Sequence, residues 1–255
     1  MAHEETQSIL PFMEAKPAFR MFRIFNNSQY KEMASSRHRL DHHALPLFSS
    51  QGFPERIVRA LAETGLVKLK EVLESFEFFE RVRRRLRASV VADLCCGHGL
   101  TGMLFAIFER DVERVVLLDK REPQLFQPIF NALCEQAPWI KEKVVFHQEI
   151  LNRAADYLAP GASIIGVHAC GKRTDGCIEA AIKLRGSLAV MPCCYGQTGQ
   201  GAPCALKQSL GVVLATDVER TYRLEQANFQ VSWSAIPQAI TPMNRIIAAH
   251  PHPMG

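Results

Sequence analysis

The chain has 255 residues, 47% of them hydrophobic and 22% charged, with a formal net charge of +4. That size and balance describe a soluble globular protein built as one large α/β domain, with or without a small appendage. No apolar run approaches the ~20 residues of a membrane helix, "MAHEETQ" lacks the basic-then-apolar order of a signal peptide, and the eight cysteines, mostly at the ends of apolar runs, do not form a secreted disulfide framework. The expectation is a cytoplasmic protein with reduced thiols and neither a membrane nor a DNA partner.

Residues 1–50 show no sustained period. "SRHRLDHHAL" gathers His38, His42 and His43, but their spacing matches no standard metal pattern, and the stretch reads as a solvated basic loop. From Pro54 the pattern turns helical, with Ile57, Val58, Leu61 and Leu66 near one face. "EVLESFEFFERVRRRLR" then places Val72, Phe76, Phe79, Val82 and Leu86 at three- or four-residue steps, which predicts an amphipathic helix. Arg81, Arg84 and Arg85 lie on its other face, expected to be solvated and braced by Glu77–Arg81 and Glu80–Arg84 pairs. Residues 1–87 hold 15 Lys and Arg against 11 Asp and Glu, so the formal excess of positive charge sits there. That modestly favours a polyanionic partner.

After Arg87 the period changes. "ASVVADL" reads as a buried parallel strand, "LTGMLFAIFER" as a helix, and "VERVVLLDK" as a second strand ending in Asp119. "EPQLFQPIFNALCEQ" reads as a helix made less regular by Pro128, and "KVVFHQEI" as a third strand. This alternation is the nucleotide-binding half of a doubly wound sheet. Between the first strand and helix, Gly97, Gly99 and Gly102 form G-x-G-x-x-G. Glycines let the backbone approach a ligand closely, and the following helix N-terminus offers free N–H groups. Asp119 stands where a carboxylate accepts from both ribose hydroxyls. The pattern taken alone allows NAD and an oxidoreductase. Asp93, four residues before Gly97, disfavours a pyrophosphate and suits an ammonium donor, so it favours S-adenosylmethionine.

"DLCCGHG" resembles the first methyltransferase motif, D-x-G-x-G-x-G, with Cys95 in place of the first glycine. "GVHACGKRTD" (166–175), "MPCCYG" (191–196) and "ITPMNRIIA" (240–248) extend the likeness. Together they resemble the methyltransferase-like domain of glutathione S-transferase C-terminal-domain-containing proteins. More distantly, they are similar to tRNA 2′-O-methyltransferases with HLCG and CCHH motifs. The likeness covers residues 88–250 or so. It implies a Rossmann-like α/β fold with a seven-stranded methyltransferase sheet at 88–255, preceded by a mainly helical extension at 1–87. It also implies S-adenosylmethionine as cofactor and RNA as the preferred acceptor.

"ASIIGVHAC" and "SLAVMPCCYG" read as strands four and five, with a helix from Thr174 to Leu184 between them. A helix near 216–228 follows, then "FQVSWSAIP" and "NRIIAAHP" as a terminal strand pair. "YGQTGQGAP" reads as a loop that could close over substrate. In such a sheet the carboxyl ends of strands one, four and five share one crevice. Asp93, Cys95, Gly97, Gly99 and Asp119 are therefore the expected cofactor residues. His168, Cys170, Cys193, Cys194 and Tyr195 are expected on the acceptor side, with His168 suited to act as base. His168 with the three cysteines also has the ligand types of a zinc site, but adjacent cysteines are non-standard spacing and no metal is expected. A non-catalytic module that keeps the fold and holds RNA or protein is the remaining alternative, motivated by Cys95.

Overall fold

The structure, a computed structural model, describes residues 17–195 and 201–253. "YGQTGQGAP" falls partly outside this range, so its reading as a loop over substrate is not addressed.

Two short elements, α1 (Ser28–Lys31) and a set of 3₁₀ turns, precede α2 (Phe53–Thr64) and α3 (Leu69–Val82). Then come β1 (Val90–Leu94), α4 (Leu100–Phe108), β2 (Arg114–Asp119), α5 (Phe126–Gln136), α6 (Ile140–Lys143) and β3 (Val144–Gln148). The chain ends with β4 (Ser163–Val167), α7 (Lys172–Leu184), β5 (Leu188–Met191), α8 (Cys204–Gln226), β6 (Phe229–Ala235) and β7 (Arg245–Pro251). The seven strands form one sheet in the order β3-β2-β1-β4-β5-β7-β6. Every pair from β3 to β5 is parallel, and β7 inserts antiparallel between β5 and β6. The expected seven-stranded Rossmann-like sheet is therefore present. Its order reverses between β1 and β4, which opens the ligand crevice above their carboxyl ends.

Residues 17–48 lack periodicity because their helical pieces are too short to show it. They nevertheless bury Phe19, Phe22, Phe25 and Phe48. Phe22 meets Phe48 and Phe76 edge-on, with 5.0 Å between ring centroids in each pair, and Phe79 of α3 meets Phe105 of α4 in the same way at 5.0 Å. These aromatics belong to one continuous hydrophobic cluster that runs from Phe19 through α3 and α4 to β1 and β7.

α3 differs from the expected amphipathic helix in three respects. It ends at Val82 rather than Leu86. It is buried on nearly every side, including Glu74, Ser75 and Glu77. And Arg81, expected on a solvated face, is buried with Glu77 in an ion pair. The polar face covers another layer: Arg81 donates to Ala18 O (2.8 Å), and the Glu77 carboxylate accepts the backbone N–H groups of Arg20 and Met21 (both 2.9 Å). The expected Glu80–Arg84 pair is replaced by Glu80–Arg83 at 3.2 Å, while Arg84 and Arg85 stay exposed.

Smaller differences have local causes. Pro128 sits in the first turn of α5, where its missing N–H has no intrahelical partner to lose. The helix expected at 216–228 begins at Cys204 and is broken at Gly211, whose backbone is non-helical (φ 76°, ψ 160°).

Removing one partner of a buried ion pair strands the other charge, at a typical cost of about 3–5 kcal/mol. Glu77→Ala is expected to lower the unfolding free energy by that amount in urea titration. Glu80→Ala, on a half-buried pair at the surface, is expected to shift it by less than about 1 kcal/mol.

Candidate active site

The β1–α4 loop takes the shape that glycine makes easy. Cys95, Gly97 and Gly99 have φ of 58°, 53° and 76°. Cys95 thus adopts a left-handed backbone that glycine takes easily, at the strain cost of a Cβ in that region. Two carboxylates order the turn. Asp93, 2% exposed, accepts from Gly102 N–H at 2.9 Å, in the first turn of α4. Asp119, at the end of β2, accepts from Gly97 N–H through Oδ2 at 3.1 Å, so its other oxygen takes no part in the turn. Burial, reinforced by the nearby Asp119 charge and opposed by the Gly102 hydrogen bond, raises the Asp93 carboxyl to about 7.

Above this loop lies a cavity of about 260 Å³, walled by Asp93, Cys95, Gly97 and His98, by Val167 and His168, and by Glu71, Glu74 and Ser75 of α3. Three of these walls are carboxylates. Glu74, 3% exposed, accepts from His168 Nε2–H at 2.9 Å. Its Oε1 is buried and accepts no hydrogen bond, although Lys70 Nζ is 3.4 Å away. Glu71 lies 3.8 Å from His98 Nε2, and His98 Nδ1 accepts from Leu100 N–H at 3.2 Å. Burial lowers the His98 pKa against the pull of Glu71. The Glu71 carboxyl is raised by burial but held below the usual range by Lys68 and His98.

Sequence reasoning missed Glu71, Glu74 and His98. His98 was hidden as an x of the glycine motif. The two glutamates lie in the segment expected to be an appendage, and only their three-residue spacing on one helix face hinted at a shared target. A larger cavity, about 680 Å³ around Phe53, Phe108 and Trp139, lies at the C-terminal end of α4, away from the strand ends that carry this chemistry.

The acceptor-side residues divide into two groups. His168, at the end of β4, is left-handed (φ 60°), and its N–H donates to Met191 O at 3.2 Å. Cys170 and Cys193 bring their sulfurs to 2.8 Å, and Cys194 Sγ lies 3.6 Å from Cys193 Sγ. Tyr195, expected to face the acceptor, spends its hydroxyl elsewhere: it donates to Asp217 Oδ2 at 2.8 Å. Asp217 is fully buried and is shared with Arg245 (2.5 Å) and Arg220 (3.5 Å), and Arg220 also holds Asp175 at 2.9 Å. This network anchors the segment after β5 to α7, α8 and β7. Burial raises the Cys95 thiol to about 11 and also raises those of Cys96 and Cys193.

The cavity suits S-adenosylmethionine better than a dinucleotide. Gly97 leaves open space where a Cβ would stand, so the backbone offers a close approach. The acidic lining of Glu71, Glu74 and Asp93 matches a ligand with ammonium and sulfonium charges, and would repel a pyrophosphate.

Asp93 gives the site a pH signature. Its folded pKa lies above the ordinary value of 3.8, so its contribution to stability is fully present below about 3.8 and is lost as pH rises to about 7. Asn mimics the protonated acid and keeps an acceptor for Gly102. The wild type is expected to lose on the order of 2–4 kcal/mol relative to Asp93→Asn between pH 4.5 and 7.5 in urea unfolding. A parallel pH dependence of the two proteins would show that Asp93 titrates normally.

A family model described as a methyltransferase domain matches residues 67–200, more than half of the chain. A glutathione S-transferase C-terminal domain-containing protein from Xenopus laevis is 26% identical over 201 residues, covering 63% of this chain and 31% of that protein. The chain thus spans about a third of the length of that curated relative. Among solved structures, an SAH-bound methyltransferase from Podospora anserina has a TM-score of 0.50 at 12% identity, covering 94% of this chain and 100% of its own. A Corynebacterium glutamicum protein has a TM-score of 0.50 at 14% identity, covering 83% and 96%. Both share the fold. The family match sets aside the NAD-dependent alternative, and the chain belongs to the methyltransferase domain family.

Proposed function

We propose that the chain methylates a nucleophile on RNA, with His168 as the acceptor-side base. The observation that carries this reading is the hydrogen bond from His168 Nε2–H to the buried Glu74 carboxylate at 2.9 Å. A carboxylate only accepts, so Nε2 holds the hydrogen and Nδ1 is the basic nitrogen. Glu74 fixes that tautomer and the ring's orientation, and it balances the charge of an imidazolium after proton uptake. His168 is 39% exposed, which leaves it open to a substrate.

Bound S-adenosylmethionine supplies an already activated methyl group. The protein's part is then to align donor and nucleophile and to receive one proton. Asp93, Cys95, Gly97, Gly99 and Asp119 are the residues we assign to the cofactor. Cys170, Cys193 and Cys194 shape the acceptor side, and Tyr195 holds their segment in place through Asp217.

RNA is favoured by the positive excess in residues 1–87 and by the exposed Arg84 and Arg85. In this reading residues 1–87 serve as a helical extension to the methyltransferase unit at 88–255, with α3 built into the site. All eight cysteines are free, in keeping with the reducing environment of the cytoplasm. Among the described residues no helix is long and apolar enough to cross a membrane.

Methyl-transfer labelling against fractionated cell RNA, protein and metabolites tests the acceptor, and label in RNA is expected. His168→Ala is expected to cut turnover by roughly 10²–10⁴-fold with donor affinity nearly unchanged. Glu74→Gln, which offers an amide that favours the wrong tautomer, is expected to lower turnover as well. A folded, donor-binding, fully active His168→Ala protein would remove the assignment.

A further inference from the structure

We propose that Cys170, Cys193 and Cys194 form a zinc site with three thiolate ligands and a fourth coordination position open to the acceptor crevice. The three sulfurs lie within 4.8 Å of one another, with 2.8 Å between Cys170 and Cys193 and 3.6 Å between Cys193 and Cys194. Three thiolates on one tetrahedral zinc stand ~3.8 Å apart, the edge set by Zn–S bonds of ~2.3 Å. A small adjustment of the observed cluster therefore encloses the ion.

Three observations separate this cluster from ordinary packing. First, the sulfurs come from different loops that the backbone clamps together: His168 N–H donates to Met191 O at 3.2 Å and Gly171 N–H donates to Cys194 O at 3.0 Å. Second, these cysteines are not core residues. Cys134 and Cys177 are buried in the two hydrophobic clusters, whereas Cys170, Cys193 and Cys194 belong to neither. Third, the clamp is itself braced, because Arg220 reaches both Gly171 O (3.3 Å) and Asp175 while Tyr195 is tied to Asp217. A buried ionic network holds both loop ends where three thiols meet.

The chemistry of the donors selects the metal. Thiolates suit zinc and reject hard cations such as magnesium and calcium. Adjacent cysteines are an unusual ligand spacing, which is why the sequence alone speaks against metal here. The turn after β5 nevertheless brings the Cys193 and Cys194 sulfurs to one side. Three protein ligands plus one exchangeable position is the pattern of a zinc ion that meets substrate. The cluster lies two residues from His168, after the carboxyl ends of β4 and β5, beside the crevice that His168 lines. A second candidate group, Asp41, His42 and His43, is more exposed, and Asp41 already accepts from His43 N–H at 2.9 Å. It serves as the internal control.

The test is elemental analysis of the untagged chain, purified under reducing conditions and dialysed against zinc, together with cobalt substitution. About one zinc per chain is expected, retained in the His42→Ala/His43→Ala double variant. Retention is expected to fall tenfold or more in each of Cys170→Ser, Cys193→Ser and Cys194→Ser. The cobalt-loaded wild type should show thiolate-to-metal charge-transfer absorption, which keeps the proposal testable if a serine variant fails to fold. A folded wild type that takes up no zinc would overturn it, as would zinc that survives the cysteine substitutions or leaves with the histidines. Peptide mapping that finds a Cys170–Cys193 disulfide in place of metal uptake would overturn it as well. None of these outcomes depends on the acceptor proposed above.

Discussion

Three glutamates on one face of α3 must each find a positive or hydrogen-bonding partner, and the site is organised by how they do so. Glu71, Glu74 and Glu77 recur every three residues on a helix that is otherwise packed into the core. An ionised carboxylate cannot be left alone in an apolar layer, because the desolvation cost is several kcal/mol. Glu77 is satisfied by Arg81 and by the backbone at Arg20 and Met21, which fastens the N-terminal segment. Glu74 and Glu71 instead face the crevice, where they meet His168 from β4 and His98 from the glycine loop. The helix before the first strand is thus structural support and site wall at once.

The opposite side of the crevice depends on strained turns. Cys95 and His168 are both non-glycine residues in left-handed backbone, one after β1 and the other after β4. Such conformations persist only where the surroundings over-determine them, and they concentrate at functional sites. Here the surroundings are specific: Asp93 and Asp119 hold the first turn, and Met191 O together with the Asp217–Arg220 network holds the second. Cys95 thus takes, in place of the motif's glycine, a backbone conformation of the kind glycine favours.

Much of this was legible in the sequence, for physical reasons. Strand and helix periods from Val90 onward are strong because parallel strands are buried on both faces, and the turn glycines and Asp119 mark where the crevice must open. What could not be read depends on contacts between distant segments. Periodicity locates a polar face on α3 but cannot tell whether water or another layer covers it, so Arg81 was assigned to solvent. The phenylalanines of residues 17–48 sit on turns too short to have a period. Tyr195 follows the cysteines in sequence, yet its hydroxyl is claimed by Asp217, a residue 22 positions away. The meeting of Cys170 with Cys193 required the β4 and β5 turns to be held together, which no spacing rule encodes.

We propose that the methyl donor binds between the glycine loop and α3, with both walls contributing. Hydrogen exchange of the chain with and without S-adenosylmethionine tests it most directly. Slowed exchange is expected in two separate segments, the β1–α4 loop around Cys95–Gly99 and the turn of α3 around Glu71–Ser75, with further protection near Asp119. Protection confined to the loop, with α3 unchanged, would rule out a donor site walled by α3.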